Sequence, residues 1–321
     1  MMNELYPWLT PLWTEWQANL QADRFSNASL LVAEEGMGAS TLVDAFSQAV
    51  ICQNYPAEAC GFCHGCQLMS SASHPDFHVI KPEKEGKSIT VEQIRQCNRI
   101  AQESSQLSGV RLFVIEPAEA MNESAANALL KTLEEPSSTC MFLLVAHRAN
   151  ALLPTITSRC QQWHLTPPNS ETVAQWLSSQ YNGEVPLYAA HINGNAPLAA
   201  LEFIEQDKVS RYTSIEKDFI AHCQQQSDAV KLAKELAADP QESLSWLWYL
   251  LSDAQKVHYG LAMPSFVPGA VKLAEVSDYQ QLYSQSQALL KLLEQLRLHT
   301  GLNAELLILD WLFKFYEGTC S

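Results

Sequence analysis

Four cysteines within 15 residues, Cys52, Cys60, Cys63 and Cys66, offer the clearest chemistry in this 321-residue chain. Their spacing, C-x7-C-x2-C-x2-C, closes with the string Cys60-Gly61-Phe62-Cys63-His64-Gly65-Cys66. A two-residue gap lets a knuckle turn aim two sulfurs inward, and four soft thiolates suit the tetrahedral preference of Zn²⁺. Four protein ligands leave no position for water, so the expected role of the metal is structural. Gly61 and Gly65 permit the tight backbone, and His64 reads as a neighbour of the set. The other cysteines, Cys97, Cys140, Cys160, Cys223 and Cys320, are scattered and read as small apolar residues.

A second run, Ala33-Glu34-Glu35-Gly36-Met37-Gly38-Ala39-Ser40-Thr41, follows a short apolar segment at 29–33 and leads into helical spacing at 41–46. Strand, glycine turn and helix make a phosphate cradle when the turn reads G-x-x-G-x-G-K-[ST]: amides wrap the phosphates and lysine meets their charge. Gly36, Gly38 and the Ser40 hydroxyl remain here, but Ala39 holds the lysine position and Ala33 the first glycine position. The missing lysine removes a charge-assisted contact of about 1.5–3 kcal/mol, and Glu34 and Glu35 put anions where a triphosphate would gather. No ATP is expected in this degenerate loop. After the apolar run 112–115, where two acids would hold Mg²⁺ and position water, the chain has Glu116-Pro117.

The elements that must carry these residues follow from periodicity. Apolar runs at 29–33, 77–80, 110–115 and 141–145 alternate with helical patterns at 91–102 and 122–135, which predicts a parallel sheet with helices on both faces. In the last of these, Asn122 caps, Ala126, Leu129, Leu130 and Leu133 form the apolar stripe, and Pro136 stops the helix. Pro167-Pro168 marks a break, and no strand is expected beyond about 203. Stripes at Leu289, Leu290, Leu293 and Leu296, and at Leu306, Leu307, Trp311 and Phe315, predict packed helices. The expected division is an α/β domain over 1–166 with the zinc module at 52–66, a helical domain over 167–207, and an all-α domain over 208–321.

Lys and Arg number 20 against 35 Asp and Glu, a formal charge of −15, which argues against a dedicated DNA-binding protein. With 47% hydrophobic and 17% charged residues, there is ample apolar surface to bury, some of it between subunits. The start of the chain, Met1-Met2-Asn3-Glu4-Leu5-Tyr6, does not read as a secretory signal, and no stretch is apolar enough to span a bilayer. A cytoplasmic location is expected.

The run Asn127-Ala128-Leu129-Leu130-Lys131-Thr132-Leu133-Glu134-Glu135-Pro136, followed by Thr157-Ser158-Arg159-Cys160, resembles the bacterial DNA polymerase III clamp-loader family of AAA+ proteins. The order of motifs, cysteine insert included, is similar to its delta-prime branch and spans nearly the whole chain. The resemblance implies an AAA+ α/β module, a helical lid and a C-terminal collar that joins a hetero-pentameric ring. It implies as partners the gamma/tau motor subunits and the delta subunit, and, through the assembly, the sliding clamp and primed DNA. It places a trans-acting arginine, directed at a neighbour's ATP, at Arg159. The segment Gly194-Asn195-Ala196-Pro197 carries proline where the ATP-hydrolysing members have a nucleotide-sensing arginine. With Ala39 and Pro117, that loss implies no independent activity within a nucleotidyltransferase holoenzyme.

Two other readings are weaker. An autonomous ATPase calls for a lysine at 39 and an acid at 117. A zinc-ribbon nucleic-acid binder calls for basic and aromatic residues around the cysteines, where the chain has Phe62 and His64, with Lys81, Lys84 and Lys87 further on.

Overall fold

The computed structural model describes residues 5–84, 86–107, 109–299 and 301–317, and its elements fall into two units, Met1–Pro167 and Pro168–Ser321. Residues 1–4 and Cys320 lie outside the described residues.

In the first unit the helices are α1 (Thr10–Gln21), α2 (Ala39–Ile51), α3 (His64–Ser70), α4 (Val91–Ala101), α5 (Glu123–Glu134) and α6 (Pro154–Thr157). The four expected strands are present as β1 (Ala28–Ala33), β2 (Phe77–Ile80), β3 (Arg111–Ile115) and β4 (Cys140–Ala146). A fifth, β5 (Gln161–Leu165), was not foreseen, because its exposed Gln161, Gln162 and His164 interrupt any apolar run. All pairs are parallel in the order β2-β3-β4-β1-β5. The central strands β3 and β4 are buried at every residue, which is why they read as continuous apolar runs.

Helices cover both faces of the sheet. On one, Leu30, Phe113, Phe142 and Leu144 pack with Ile94 and Cys97 of α4 and Leu129 and Leu133 of α5. On the other, Trp16 of α1, Phe25, Phe46 of α2 and Trp163 of β5 form an aromatic cluster with centroids 4.8–5.9 Å apart. Asn122 accepts the Ala125 N–H at 2.8 Å and starts α5 as expected.

One buried ion pair ties this unit together, and no periodicity signals it. Arg111 and Asp76 are each 1% exposed. The Arg111 Nε and Nη2 donate to Asp76 Oδ1 at 3.0 and 2.9 Å, Nη2 also to the Ser104 carbonyl at 2.7 Å, and Nη1 to the Ile100 and Glu103 carbonyls. Asp76 further accepts the N–H groups of Gln106 and Leu107. Burial opposes its charge, but these donors outweigh burial and hold its carboxyl below the usual range. A carboxyl lowered by folding adds stability above its unfolded pKa of about 3.9, and that stability is lost as pH falls through the folded value. Arg111→Ala leaves a buried carboxylate uncompensated, at an expected cost of about 3–5 kcal/mol. The denaturant midpoint of the first unit measures this; an unshifted midpoint would show the pair to be dispensable.

The second unit holds α7 (Ser170–Gln180), α8 (Ala189–Ile192), α9 (Pro197–Glu205), α10 (Lys208–Cys223), α11 (Ala229–Leu236), α12 (Pro240–Val257), α13 (Ala270–Val276), α14 (Tyr279–Leu298) and α15 (Ala304–Glu317). Among its described residues there is no strand. One apolar cluster runs from Val173 to Phe315. The expected boundary at 207/208 falls inside this unit, where Phe203 and Tyr212 share the cluster with ring centroids 6.5 Å apart. Leu289, Trp311 and Phe315 are buried as expected, whereas Leu290 and Leu306, assigned to the same stripes, are exposed. Among the described residues no helix is long and apolar enough to cross a membrane.

Candidate functional site

The cysteine module bridges two helices of the first unit. Cys52 caps the C-terminus of α2, and Cys63 caps the N-terminus of α3 by accepting the Cys66 N–H at 3.4 Å. Between them Gly61 sits at φ +77°, a left-handed conformation that a side chain strains. At Gly65 an added Cβ would come 2.7 Å from the Ile51 carbonyl oxygen, so the close approach of α3 to the end of α2 excludes a larger residue.

The four sulfurs lie within 4.8 Å of one another, with Cys60 and Cys66 3.9 Å apart. Four thiolates around one tetrahedral ion at about 2.3 Å would stand about 3.8 Å apart, so the set fits one metal ion. All four cysteines are free of disulfides. Backbone N–H groups point at the sulfurs: Cys60 N–H donates to Cys52 Sγ at 3.4 Å and Cys63 N–H to Cys60 Sγ at 3.3 Å. Desolvation opposes ionisation of Cys60, but the N–H groups of Phe62 and Cys63 and neighbouring thiols outweigh it and lower that thiol to about 6. At Cys66 burial dominates and pushes the thiol up to about 12. His64 is exposed and stands outside the set, and Phe62 is 65% exposed beside it.

The loop 33–41 joins β1 to α2. Gly36 and Gly38 have φ of +79° and +72°, and Gly38 is the N-cap of α2. Met37 is fully buried, and its carbonyl accepts the Trp8 indole N–H at 2.8 Å. Ser40, Glu34 and Glu35 are exposed. Carboxylates also collect at neighbouring strand ends. Glu116, after β3, pairs with Lys81 at 3.4 Å, and Glu119 accepts both the N–H and Nδ1 of His147, after β4, at 2.9 Å. The hydrogen bond to Glu119 raises the His147 pKa against its own burial, and Glu119, Glu35 and Glu116 reinforce the rise through their charges. The sequence reading missed this Glu119–His147 pair, which joins loops 28 residues apart.

Arg159 stands at the end of α6. Buried Ile156 and Cys160 anchor the chain on either side, and the Arg159 N–H donates to the Ile156 carbonyl at 3.1 Å. The side chain crosses to the last residue of α5: Nε donates to Glu134 Oε1 at 2.6 Å, Nη2 binds the same oxygen, and Nη1 donates to the Thr155 carbonyl at 2.8 Å. Arg159 and Glu134 are 32% and 49% exposed, a class of pair worth about 0–1 kcal/mol. Leu133, Glu134, Ser158 and Arg159 line a surface recess of 480 Å³. Glu134 belongs to the motif quoted from the sequence, but its pairing with Arg159 spans 25 residues and has no local signal. The recess shares no lining residue with the loop 33–41 or the cysteine set.

A family model described as "DNA polymerase III, delta subunit" matches residues 9–169, and one described as "DNA polymerase III, delta subunit, C terminal" matches 206–317. The chain is 33% identical over 319 residues to DNA polymerase III subunit delta' of Haemophilus influenzae, covering 97% of each chain. It is 34% identical over 318 residues to the subunit of that name from Escherichia coli K12, covering 96% of this chain and 94% of the relative. A solved structure of a DNA polymerase III gamma subunit-related protein from Thermotoga maritima aligns over 96% of this chain and 98% of that chain, at 19% identity and a TM-score of 0.41. Assignment rests on the sequence relatives.

Proposed function

The chain belongs to the delta-prime family of DNA polymerase III subunits, and from that premise we propose that it is a non-hydrolysing clamp-loader member that lends Arg159 to a neighbouring motor subunit's ATP site. The observation that carries this reading is the placement of Arg159 in an open recess. Of the five N–H groups of a guanidinium, one on Nη2 remains after the bonds to Glu134 and Thr155 and a long 3.5 Å contact from Nη1 to the Ser158 hydroxyl. A planar cation so placed suits the charge that develops on a transferring phosphoryl group.

In this reading the ring is a hetero-pentamer in the cytoplasm, with gamma/tau motor subunits and the delta subunit as partners. Sliding clamp and primed DNA are engaged through the assembly. Residues 167–207 serve as lid and 208–321 as collar. The loop 33–41 holds no nucleotide, for lack of a cation at Ala39, of an acid at Pro117 and of an arginine at Pro197. Cys52, Cys60, Cys63 and Cys66 hold a structural Zn²⁺, which pins α3 against the end of α2.

Two measurements test the proposal. The purified chain titrated with fluorescent ATP and Mg²⁺ should show no saturable binding, and micromolar binding would overturn the empty-loop reading. In the reconstituted ring, Arg159→Ala should sharply lower DNA-stimulated ATP turnover, and an unchanged rate in an intact assembly would remove the arginine's role.

A further inference from the structure

We propose that Glu134 is a positioning residue for Arg159: it clamps the Nε side of the guanidinium so that the two terminal nitrogens face outward toward an anionic phosphoryl group held by an adjacent subunit. The inference rests on the trans-acting reading of Arg159 and extends it to a second residue.

A free arginine side chain at the surface samples many rotamers, and ordering it on demand costs entropy during the reaction step. Here it is ordered beforehand. Glu134 Oε1 takes Nε–H at 2.6 Å together with an Nη2 proton, and the Thr155 carbonyl takes Nη1 at 2.8 Å. Those three contacts fix the guanidinium plane; the other Nη1 N–H makes only a long 3.5 Å contact to the Ser158 hydroxyl, and Nη2 keeps one N–H. The clamp itself is rigidly held. Glu134 is the final residue of α5, whose Leu129 and Leu133 are buried in the sheet core, and Arg159 lies between buried Ile156 and Cys160. Both partners thus project from packed elements into one recess.

So exposed a pair contributes little to folding, and a structural role alone therefore predicts no loss of turnover when it is broken. A positioning role predicts a fall in kcat with KM for ATP unchanged, because the contact improves only in the transition state. Loss of orientation at a reacting group costs up to about 100-fold.

The experiment uses the complete reconstituted ring, with assembly followed by gel filtration and DNA-stimulated ATP turnover resolved by site for Arg159→Ala, Glu134→Ala, Glu134→Gln and the double alanine variant. Expected at the site next to Arg159 is a drop of about 10- to 100-fold in kcat for Glu134→Ala at unchanged KM, partial recovery in Glu134→Gln, whose amide oxygen still accepts Nε–H, and a double variant no slower than Arg159→Ala. If Arg159→Ala slows the ring while Glu134→Ala does not, or speeds it, positioning by Glu134 is wrong and the arginine's role stands. A double variant slower than Arg159→Ala also overturns it, since Glu134 would then act elsewhere. If Arg159→Ala itself has no effect, the trans-acting reading fails and this inference with it.

Discussion

Replacing Arg159 by alanine should lower ATP turnover by about 10³- to 10⁵-fold at the neighbouring site that it is proposed to serve, while the ring should still assemble. The size of the effect comes from where charge develops. In phosphoryl transfer the protein's contribution is chiefly positioned positive charge, and a guanidinium entering from a neighbour is a large share of it. The ring's other sites keep turning over, so pre-steady-state turnover resolved by site measures the loss better than the steady-state sum. Arg159→Lys should recover little, because an ammonium cannot reproduce the planar fork held by Glu134 and Thr155. The folding midpoint should barely move, since Arg159 is only half-buried and Glu134 is exposed. An unchanged rate at every site, with the ring intact, would leave Arg159 as a surface ion pair.

If the cysteine set holds the proposed Zn²⁺, removing it should unravel the segment 52–66 and leave the sheet standing. Apparent binding energies of structural Zn²⁺ sites run to about 10–16 kcal/mol at neutral pH, and such a site orders backbone that has little core of its own. The apolar cluster between the sheet and α4 and α5 includes none of the four cysteines. Metal analysis should therefore find one Zn²⁺ per chain. A strong chelator should expose four reactive thiols and open 52–66 to protease, with the far-ultraviolet spectrum nearly unchanged. Cys63→Ser should do the same without chelator. Affinity should rise with pH: the Cys66 thiol, pushed up to about 12 without metal, must give up its proton on binding, whereas Cys60, lowered to about 6, is largely ionised at neutral pH. A metal-free chain that is equally protease-resistant at 52–66 would contradict a structural metal.

How much of this was legible beforehand depended on how local the signal was. The cysteine spacing specified its own cluster because ligands within 15 residues meet through one short turn and two helix ends. Strands β1, β3 and β4 were readable because strands buried between neighbours are uninterrupted apolar runs, β2 because its short run at 77–80 stays largely apolar although it lies at a sheet edge, and α5 because its cap, stripe and stop all lie within 15 residues. β5 escaped because Gln161, Gln162 and His164 are polar and exposed, so that only Trp163 and Leu165 are buried and no apolar run forms.

Sequence by itself thus determined the alternating α/β order, the candidate metal ligands, the loop lacking a lysine and, through the motif around Ser158-Arg159-Cys160, the arginine to test. Only the tertiary structure decided which partners those groups have. Doublets such as Leu289-Leu290 fit two helix registers equally, and packing against the rest of the second unit chose to bury Leu289 and expose Leu290. Asp76 with Arg111, Glu119 with His147 and Glu134 with Arg159 join residues 35, 28 and 25 positions apart. Periodicity carries no information at such range, because a pair of charges meets only after sheet and helices have fixed the elements that carry them.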